Sequence, residues 1–427
     1  MGKTWRWLFA VLAVLALVAA ACGSDDDGES GTDGTTTTAG ADEGAAADEG
    51  AADEEMSDEE MSDEEMTDEE MSDEEMSDEA TDVAAADCET VDSITVQLQW
   101  VAQSQFAGYF AAKDAGLYEA FCLDVTIAEG AVDIVPQQQL ASGAADFAVA
   151  WVPKALVSRE EGIDIVNIAQ IFQRSGTLQV SFADRGITSP ADLEDRLVGN
   201  WGFGNELELV AGAAGAGLEA GTDFEFVQQN FDMLALLSGE IDAAQAMTYN
   251  EYAQVLETVN PDTGELYQPE DFNTISWEEE GFGMLQDALW ADTTRLADDP
   301  AYGDIATRLI AATVEGWAWC RDNAEPCIDI VLDNGTTLGR SHQTWQLNEI
   351  NKLIWPSPNG AGMMDQALWD QTVEVSLAAD FITAAPDASA FTTEYATAAL
   401  ALLDEQGVDS TGDGFTPVEV ELLEGGE

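Results

Sequence analysis

The sequence predicts an α/β fold with mostly parallel strands, laid out as two successive strand–helix series. Two observations carry this. Short runs of apolar and β-branched residues alternate with segments of helical spacing, and strands alternating with helices at short spacing mark a mostly parallel sheet. Helix starts and stops also fall where Ser-Pro and Gly punctuate the pattern. Ile94-Thr-Val-Gln-Leu-Gln-Trp100 alternates as a strand. Gln105 to Ala120 is helical, with Phe106, Tyr109, Phe110 and Leu117 available for one face. Leu123 to Ile127 is the next strand, Val135 to Ser142 a helix stopped by Gly143, and Asp146 to Ala150 a strand. Lys154 to Glu161 is a helix and Ile165 to Ile171 a strand.

The second series runs from about Asp184 to Val259. Ser189 caps a helix start with Pro190 at its first position. Leu197 to Asn200 is a strand that leads into Trp201-Gly-Phe-Gly-Asn-Glu206, and a helix follows through Leu207 to about Gly215. Phe224 to Val227 is a strand, Met233 to Ser238 a helix, Ile241 to Met247 a strand and Tyr249 to Val259 a helix. From Pro300 the pattern is mainly helical, broken at Asn334-Gly335, Pro356-Ser-Pro358 and Asn359-Gly360.

The chain has 427 residues and a formal net charge of −72. Lys3 and Arg6 precede an apolar run from Leu8 to Ala21, and Cys22 follows three alanines. A basic start, a short apolar run and a small-residue cleavage site make a secretory signal, here residues 1–21. A cysteine at the cut is the pattern of a bacterial lipoprotein, with Cys22 the lipidated first residue of the mature chain and the membrane its anchor. Residues 22–92 read as a disordered acidic tether. Between Gly23 and Asp92 stand 30 acidic residues and no Lys or Arg, with a pentapeptide of the pattern Met-Ser-Asp-Glu-Glu at methionines 56, 61, 66, 71 and 76, Thr67 replacing one Ser and Ala80 the last Glu. Low apolar content and charge of one sign leave such a segment extended by self-repulsion. The remainder still carries 55 acidic against 11 basic residues. That balance argues against nucleic acid and anionic lipid as partners, because both require basic patches.

Cys88, Cys122, Cys320 and Cys327 make an even count, which suggests two disulfides in an exported chain. Cys320 and Cys327, seven apart, are expected to pair. Cys88 and Cys122 can meet if the strands they precede are neighbours. With a single His, His342, and no Cys-x-x-Cys, no metal site is expected. No Gly-x-Ser-x-Gly, His-Glu-x-x-His or phosphate-binding loop is present, and no cofactor is expected. Asp409-Ser-Thr-Gly-Asp-Gly414 has the look of a calcium loop, but Val420 stands where the bidentate Glu belongs, so it reads as a turn.

Aromatic and amide residues gather instead at strand ends. Trp100, Gln105 and Tyr109 follow the first strand, Trp151 the third and Arg174 the fourth; Trp201, Phe203 and Asn205, then Tyr249, Asn250 and Glu251, follow strands of the second series. Ligands of open parallel sheets bind outside the carboxyl ends of the strands. These side chains could therefore line one cleft between two lobes. Flat apolar faces with amides and one carboxylate suit a planar, hydrogen-bonding heterocycle.

Gln99-Trp100, Gln105-Phe-Ala-Gly-Tyr109, Gly116-Leu-Tyr118, Ser142-Gly-Ala-Ala-Asp146, Val198 to Glu206, Gln228 to Asp232 and Ala246 to Tyr252 occur in an order that resembles the solute-binding proteins of ABC importers related to thiamine-pyrimidine synthase. The resemblance spans about Ile94 to Trp290. It implies a two-lobed periplasmic-binding-protein-like fold of type II, with a hinge and an interlobe cleft. Residues 93–182 and 283–427 would form lobe 1, and 183–282 lobe 2. It implies a small-molecule ligand, with permease and ATPase subunits as partners. Relatives bind pyrimidine precursors of thiamine, and others bind riboflavin, alkanesulfonates, taurine or nitrate. On this chain Trp100 would stack on the ring and Glu251 would read the pyrimidine edge. Met247 stands where pyrimidine-binding relatives carry a tyrosine, and Tyr249 offers a replacement ring. The enzymatic branch uses pyridoxal phosphate on a lysine after the third strand, with a histidine four residues later and a cysteine-rich motif. Here those positions read Ala150 and Lys154, and the cysteine motif is missing. The departures point to a binder.

Overall fold

The computed structural model describes residues 88–427. The expected signal peptide, Cys22 and the repeat-bearing part of the expected tether lie outside the described residues. The remainder of the tether, Cys88 onward, is tied down: Cys88 is disulfide-bonded to Cys122, and Asp92 already begins the first strand.

Among the described residues, ten strands form two sheets of matching design. They are β1 (Asp92–Gln97), β2 (Leu123–Ala128), β3 (Phe147–Trp151), β4 (Ile165–Gln170), β5 (Thr177–Phe182), β6 (Leu197–Asn200), β7 (Glu225–Gln228), β8 (Ala244–Met247), β9 (Phe272–Ser276) and β10 (Asp287–Asp292). The first sheet has the order β2-β1-β3-β10-β4. In the second, β8-β5-β9 meets the parallel pair β6-β7 through the bridge between Val198 and Ala243 and the bond from Gly199 N to Ala243 O at 2.7 Å. The second sheet therefore reads β7-β6-β8-β5-β9.

The two lobes exchange one strand each. β5 carries the chain out of lobe 1 and runs antiparallel between β8 and β9. β10 brings it back and runs antiparallel between β3 and β4. Within each lobe the remaining pairs, β1 with β2 and β3 and β6 with β7, are parallel, as crossover connections require. Thr177–Phe182, which the sequence-based division leaves in lobe 1, is thus hydrogen-bonded into the second sheet.

Local chemistry explains the elements. The Leu207–Gly215 helix falls where its apolar spacing places it. Ser189 and Asp192 form a reciprocal capping box, but Pro190–Leu193 closes as a single 3-10 turn. The helix expected over Gln105 to Ala120 is split into Ala107–Asp114 and Leu117–Ala120, because Gly116 turns left-handed at φ +72°. The long Pro300–Asp322 helix packs across Ala107–Asp114. A Cβ at Gly316 would stand 2.2 Å from the Gly108 carbonyl oxygen, so only a residue without a side chain fits that crossing. The second disulfide, Cys320 to Cys327, joins that helix to the next, Ala324–Asp333, as the spacing suggests.

Two chain segments connect the lobes, and polar side chains tie them together. Gln286 Oε1 accepts from Gly176 N at 3.0 Å while its Nε2 donates to Thr177 Oγ1 at 2.8 Å. Glu208 accepts from Ser175 Oγ at 3.0 Å and from Met284 N at 2.6 Å.

Candidate functional site

Between the lobes, at the carboxyl ends of the strands, lies a cavity of about 610 Å³. Lobe 1 supplies Gln99 and Trp100 after β1, Gln105, Trp151 at the end of β3, and Lys154 one turn into the Val152–Glu160 helix. Lobe 2 supplies Trp201 to Asn205 after β6, Phe231 after β7, and Met247, Tyr249, Asn250 and Glu251 at the end of β8. Aromatic rings and aliphatic side chains line it together with amides, one lysine and two carboxyls, a mixture that suits a flat ligand with polar edges.

Backbone geometry fixes the aromatic walls. The loop after β2 lies against the Gln99–Trp100 backbone, with Gly130 N donating to Trp100 O at 2.9 Å; a Cβ at Gly130 would stand 2.3 Å from the carbonyl carbon of Gln99. On the other side Gly202, Phe203 and Gly204 all adopt positive φ, and Phe203 accepts this strain at φ +56° with its ring two-thirds exposed at the mouth. Trp100 and Phe231 meet across the lobes with ring centroids 4.7 Å apart, and Phe231 stacks on Trp201 at 5.8 Å and 15°.

Asp287, the first residue of β10, anchors the floor. Its Oδ1 accepts from Trp151 Nε1 at 2.7 Å and from the Gln99 amide, and its Oδ2 accepts from Gln105 Nε2 at 3.0 Å. Burial pushes its pKa up to about 7, against the pull of those hydrogen bonds and of Lys154. Glu251, at the first position of the Glu251–Leu256 helix, takes Met247 N on Oε2 at 3.0 Å and Asn250 Nδ2 on Oε1 at 2.7 Å; burial raises its pKa as well. Lys154 Nζ donates to Asn205 Oδ1 across the cleft at 2.6 Å and stands 5.1 Å from the centre of the Trp151 ring. Burial lowers its pKa to about 8, with Glu206 and Asp287 opposing.

The structure brings together Trp100, Gln105, Trp151, Trp201, Phe203, Asn205, Tyr249, Asn250 and Glu251. It does not bring Tyr109 or Arg174 to the cavity. Tyr109 is buried beneath it, edge-on to Trp317 at 6.4 Å. Arg174 spends its guanidinium on the carbonyl oxygens of Lys352 at 3.2 Å and Pro356 at 3.0 Å, beside a smaller cavity of about 370 Å³. Sequence reasoning missed Asp287 and Phe231. The signal for Phe231 was its place after a second-series strand; Asp287 had none, being one of 85 acidic residues.

Two buried carboxyls with raised pKa set a pH dependence. Glu208 is pushed up to about 7 by burial, as is Asp287. Such an acid binds more protons folded than unfolded, between the ordinary carboxylate range and about pH 7. Its contribution is therefore favourable on acidification and lost as pH rises through 7. The melting temperature should rise as pH falls from roughly 8 to 5, and Asp287→Asn should flatten part of that slope. Differential scanning calorimetry across that range checks it; a melting temperature that falls on acidification contradicts it.

Comparison with known proteins agrees with this architecture. The chain is 23% identical to the formylaminopyrimidine-binding protein of Halalkalibacterium halodurans over 246 residues, which are 57% of this chain and 70% of that protein. It is 22% identical to the riboflavin-binding protein RibY of Chloroflexus aurantiacus over 314 residues, 71% of this chain and 85% of the other. Among solved structures, the periplasmic aliphatic sulphonate binding protein SsuA from Escherichia coli superposes with a TM-score of 0.53 at 15% identity, covering 78% of this chain and 94% of that one, a likeness of fold alone. Residues 103–326, more than half of the chain and most of the residues that line the cavity, match the family described as NMT1/THI5 like, and the chain belongs to that family.

Proposed function

We propose that this protein is an extracytoplasmic, lipid-anchored solute-binding protein of an ABC importer. Its ligand is a planar heterocycle bearing an exocyclic amine, such as an aminopyrimidine precursor of thiamine. The observation that carries the reading is the convergence of Trp100, Trp151, Trp201 and Glu251 on one interlobe cavity. Indole faces stack on a flat ring, and a buried carboxylate accepts from an amine or a protonated ring nitrogen. The only basic residue lining the cavity among those described is Lys154, already bonded to Asn205. An anion such as a sulfonate would need more donors than that. The name of the Halalkalibacterium halodurans relative supports the pyrimidine reading. Closure of the lobes on the ligand gives the permease a surface to recognise.

A riboflavin-like ligand is the second reading, favoured by the size of the cavity and by the name of the Chloroflexus aurantiacus relative. It would keep the tryptophan dependence and rely less on Glu251, because its ring system lacks an exocyclic amine.

Titration with an aminopyrimidine is expected to quench tryptophan fluorescence, while taurine and nitrate leave it unchanged; quenching by taurine alone would contradict the reading. The anchor rests on the sequence from Lys3 to Cys22. Cys22→Ala is expected to release the protein from membranes or leave it unprocessed, as fractionation would show. Association that survives high salt unchanged would argue against a lipid anchor.

A further inference from the structure

Behind Glu251 runs a buried chain of polar side chains that bridges the lobes. Asn250 donates from Nδ2 to Glu251 Oε1 at 2.7 Å. Asn250 Oδ1 lies 3.0 Å from His342 Nε2, and His342 Nδ1 lies 2.8 Å from Glu257 Oε1. Asn250 and Glu257 cap the two ends of the Glu251–Leu256 helix in lobe 2, whereas His342 comes from the Arg340–Ile354 helix, which packs across it. His342 is 1% exposed and does not itself line the cavity. The C-terminal segment closes the far side. Gly425 N donates to Glu257 O at 3.0 Å, Leu423 N to Ser341 Oγ at 3.1 Å, and Ser341 N to Glu427 O at 3.1 Å.

The polarity of this chain follows from its end. An ionised Glu251 can only accept, so Asn250 must present its NH₂ to it. The same amide then turns Oδ1 toward His342, and Nε2 must carry the hydrogen that faces it. Read in the other direction, the imidazole N–H locks the amide. Without it, the amide can rotate by half a turn and set its oxygen against the carboxylate, which favours a protonated Glu251 that donates. Burial already pushes Glu251 that way, and the backbone bond from Met247, the imidazole and the Asn250 bond hold it back. The other titratable groups facing this region are Tyr249 and Asp287 on the cavity side and Glu257 beyond the imidazole.

We propose that His342 is a positioning residue of the ligand site: by fixing the Asn250 amide it keeps Glu251 an acceptor, so preference for a ring edge that donates N–H depends on a residue that never meets the ligand. This rests on the reading of Glu251 given above.

The test compares 4-aminopyrimidine with 4-methylpyrimidine, which share a shape and differ in the donor. Wild type is expected to prefer the amine by about tenfold or more. His342→Leu is expected to reduce that ratio to about threefold or less, and His342→Gln, whose amide N–H can reach Asn250 Oδ1, to restore it. A ratio that survives His342→Leu overturns the positioning role while leaving the Glu251 reading intact. No preference in wild type overturns the Glu251 reading and the proposal with it. Should His342→Leu fail to fold, the wild type answers the question, since the chain holds one histidine. In ¹⁵N-histidine-labelled protein, 4-aminopyrimidine is expected to shift the Nε2 resonance more than 4-methylpyrimidine does. Equal shifts, or none, would overturn the proposal.

Discussion

Asp287→Ala is expected to cost about 3 kcal/mol of stability and to weaken heterocycle binding by a hundredfold or more. The carboxylate accepts from Trp151, Gln99 and Gln105, and all three donors lie on cavity-lining residues. Removing it strands buried N–H groups at roughly 1–3 kcal/mol each, partly offset by relief of a desolvated charge. It also frees the Trp151 indole to leave the orientation in which its face lines the cavity. Asp287→Asn keeps one acceptor oxygen and should lose much less. Urea unfolding and ligand titration of the two variants separate the effects. Equal behaviour of Ala and Asn would mean the acceptor role is unimportant.

Trp100→Ala is expected to weaken binding of an aminopyrimidine by about 1–3 kcal/mol, roughly tenfold to a hundredfold, from lost stacking and burial. Trp100 also closes the aromatic run through Phe231 to Trp201, so its loss opens the contact between lobes. Glu251→Gln should cost a comparable amount by replacing a charge-assisted hydrogen bond with a neutral one. Stability should change little in the tryptophan variant, since the Trp100 side chain is only partly buried. A Trp100→Ala protein with wild-type affinity would remove the stacking role.

Most of the fold could be read from the chain where strands are short and one-sided. β1, β2, β4 and β6 and the Leu207–Gly215 helix fall within a few residues of their apolar patterns. The three strands that escaped notice escaped for physical reasons. β5 buries Thr177, Gln179 and Ser181 alongside its apolar residues, so its polar half looks solvent-facing in sequence although it lies inside. β10 begins with buried Asp287 in a chain crowded with surface carboxylates. β9, five residues long, follows a loop rich in Asp, Glu and Pro that hides its start. Both missed crossings are the strands exchanged between lobes. The alternation of strand and helix therefore suggests mostly parallel pairing, while β5 and β10 add antiparallel pairs.

The site was legible to the extent that strand ends point one way. Nine of the expected residues meet in the cavity because each follows a strand whose carboxyl end faces it. Arg174 also follows such a strand, yet it turns to the carbonyl oxygens at the end of the Arg340–Ile354 helix, a direction set by tertiary contacts alone. Tyr109 lies one helical turn too deep. His342, remote in sequence from every strand end, reaches Asn250 only through the packing of two helices from different lobes.

Isothermal titration calorimetry of the purified protein with an aminopyrimidine, riboflavin and taurine puts the central claim to its most direct test. Saturable heat with the aminopyrimidine, lost on Trp100→Ala and reduced on Glu251→Gln, with none from taurine, is the predicted result. Tight binding of taurine with no heat from either heterocycle would contradict it.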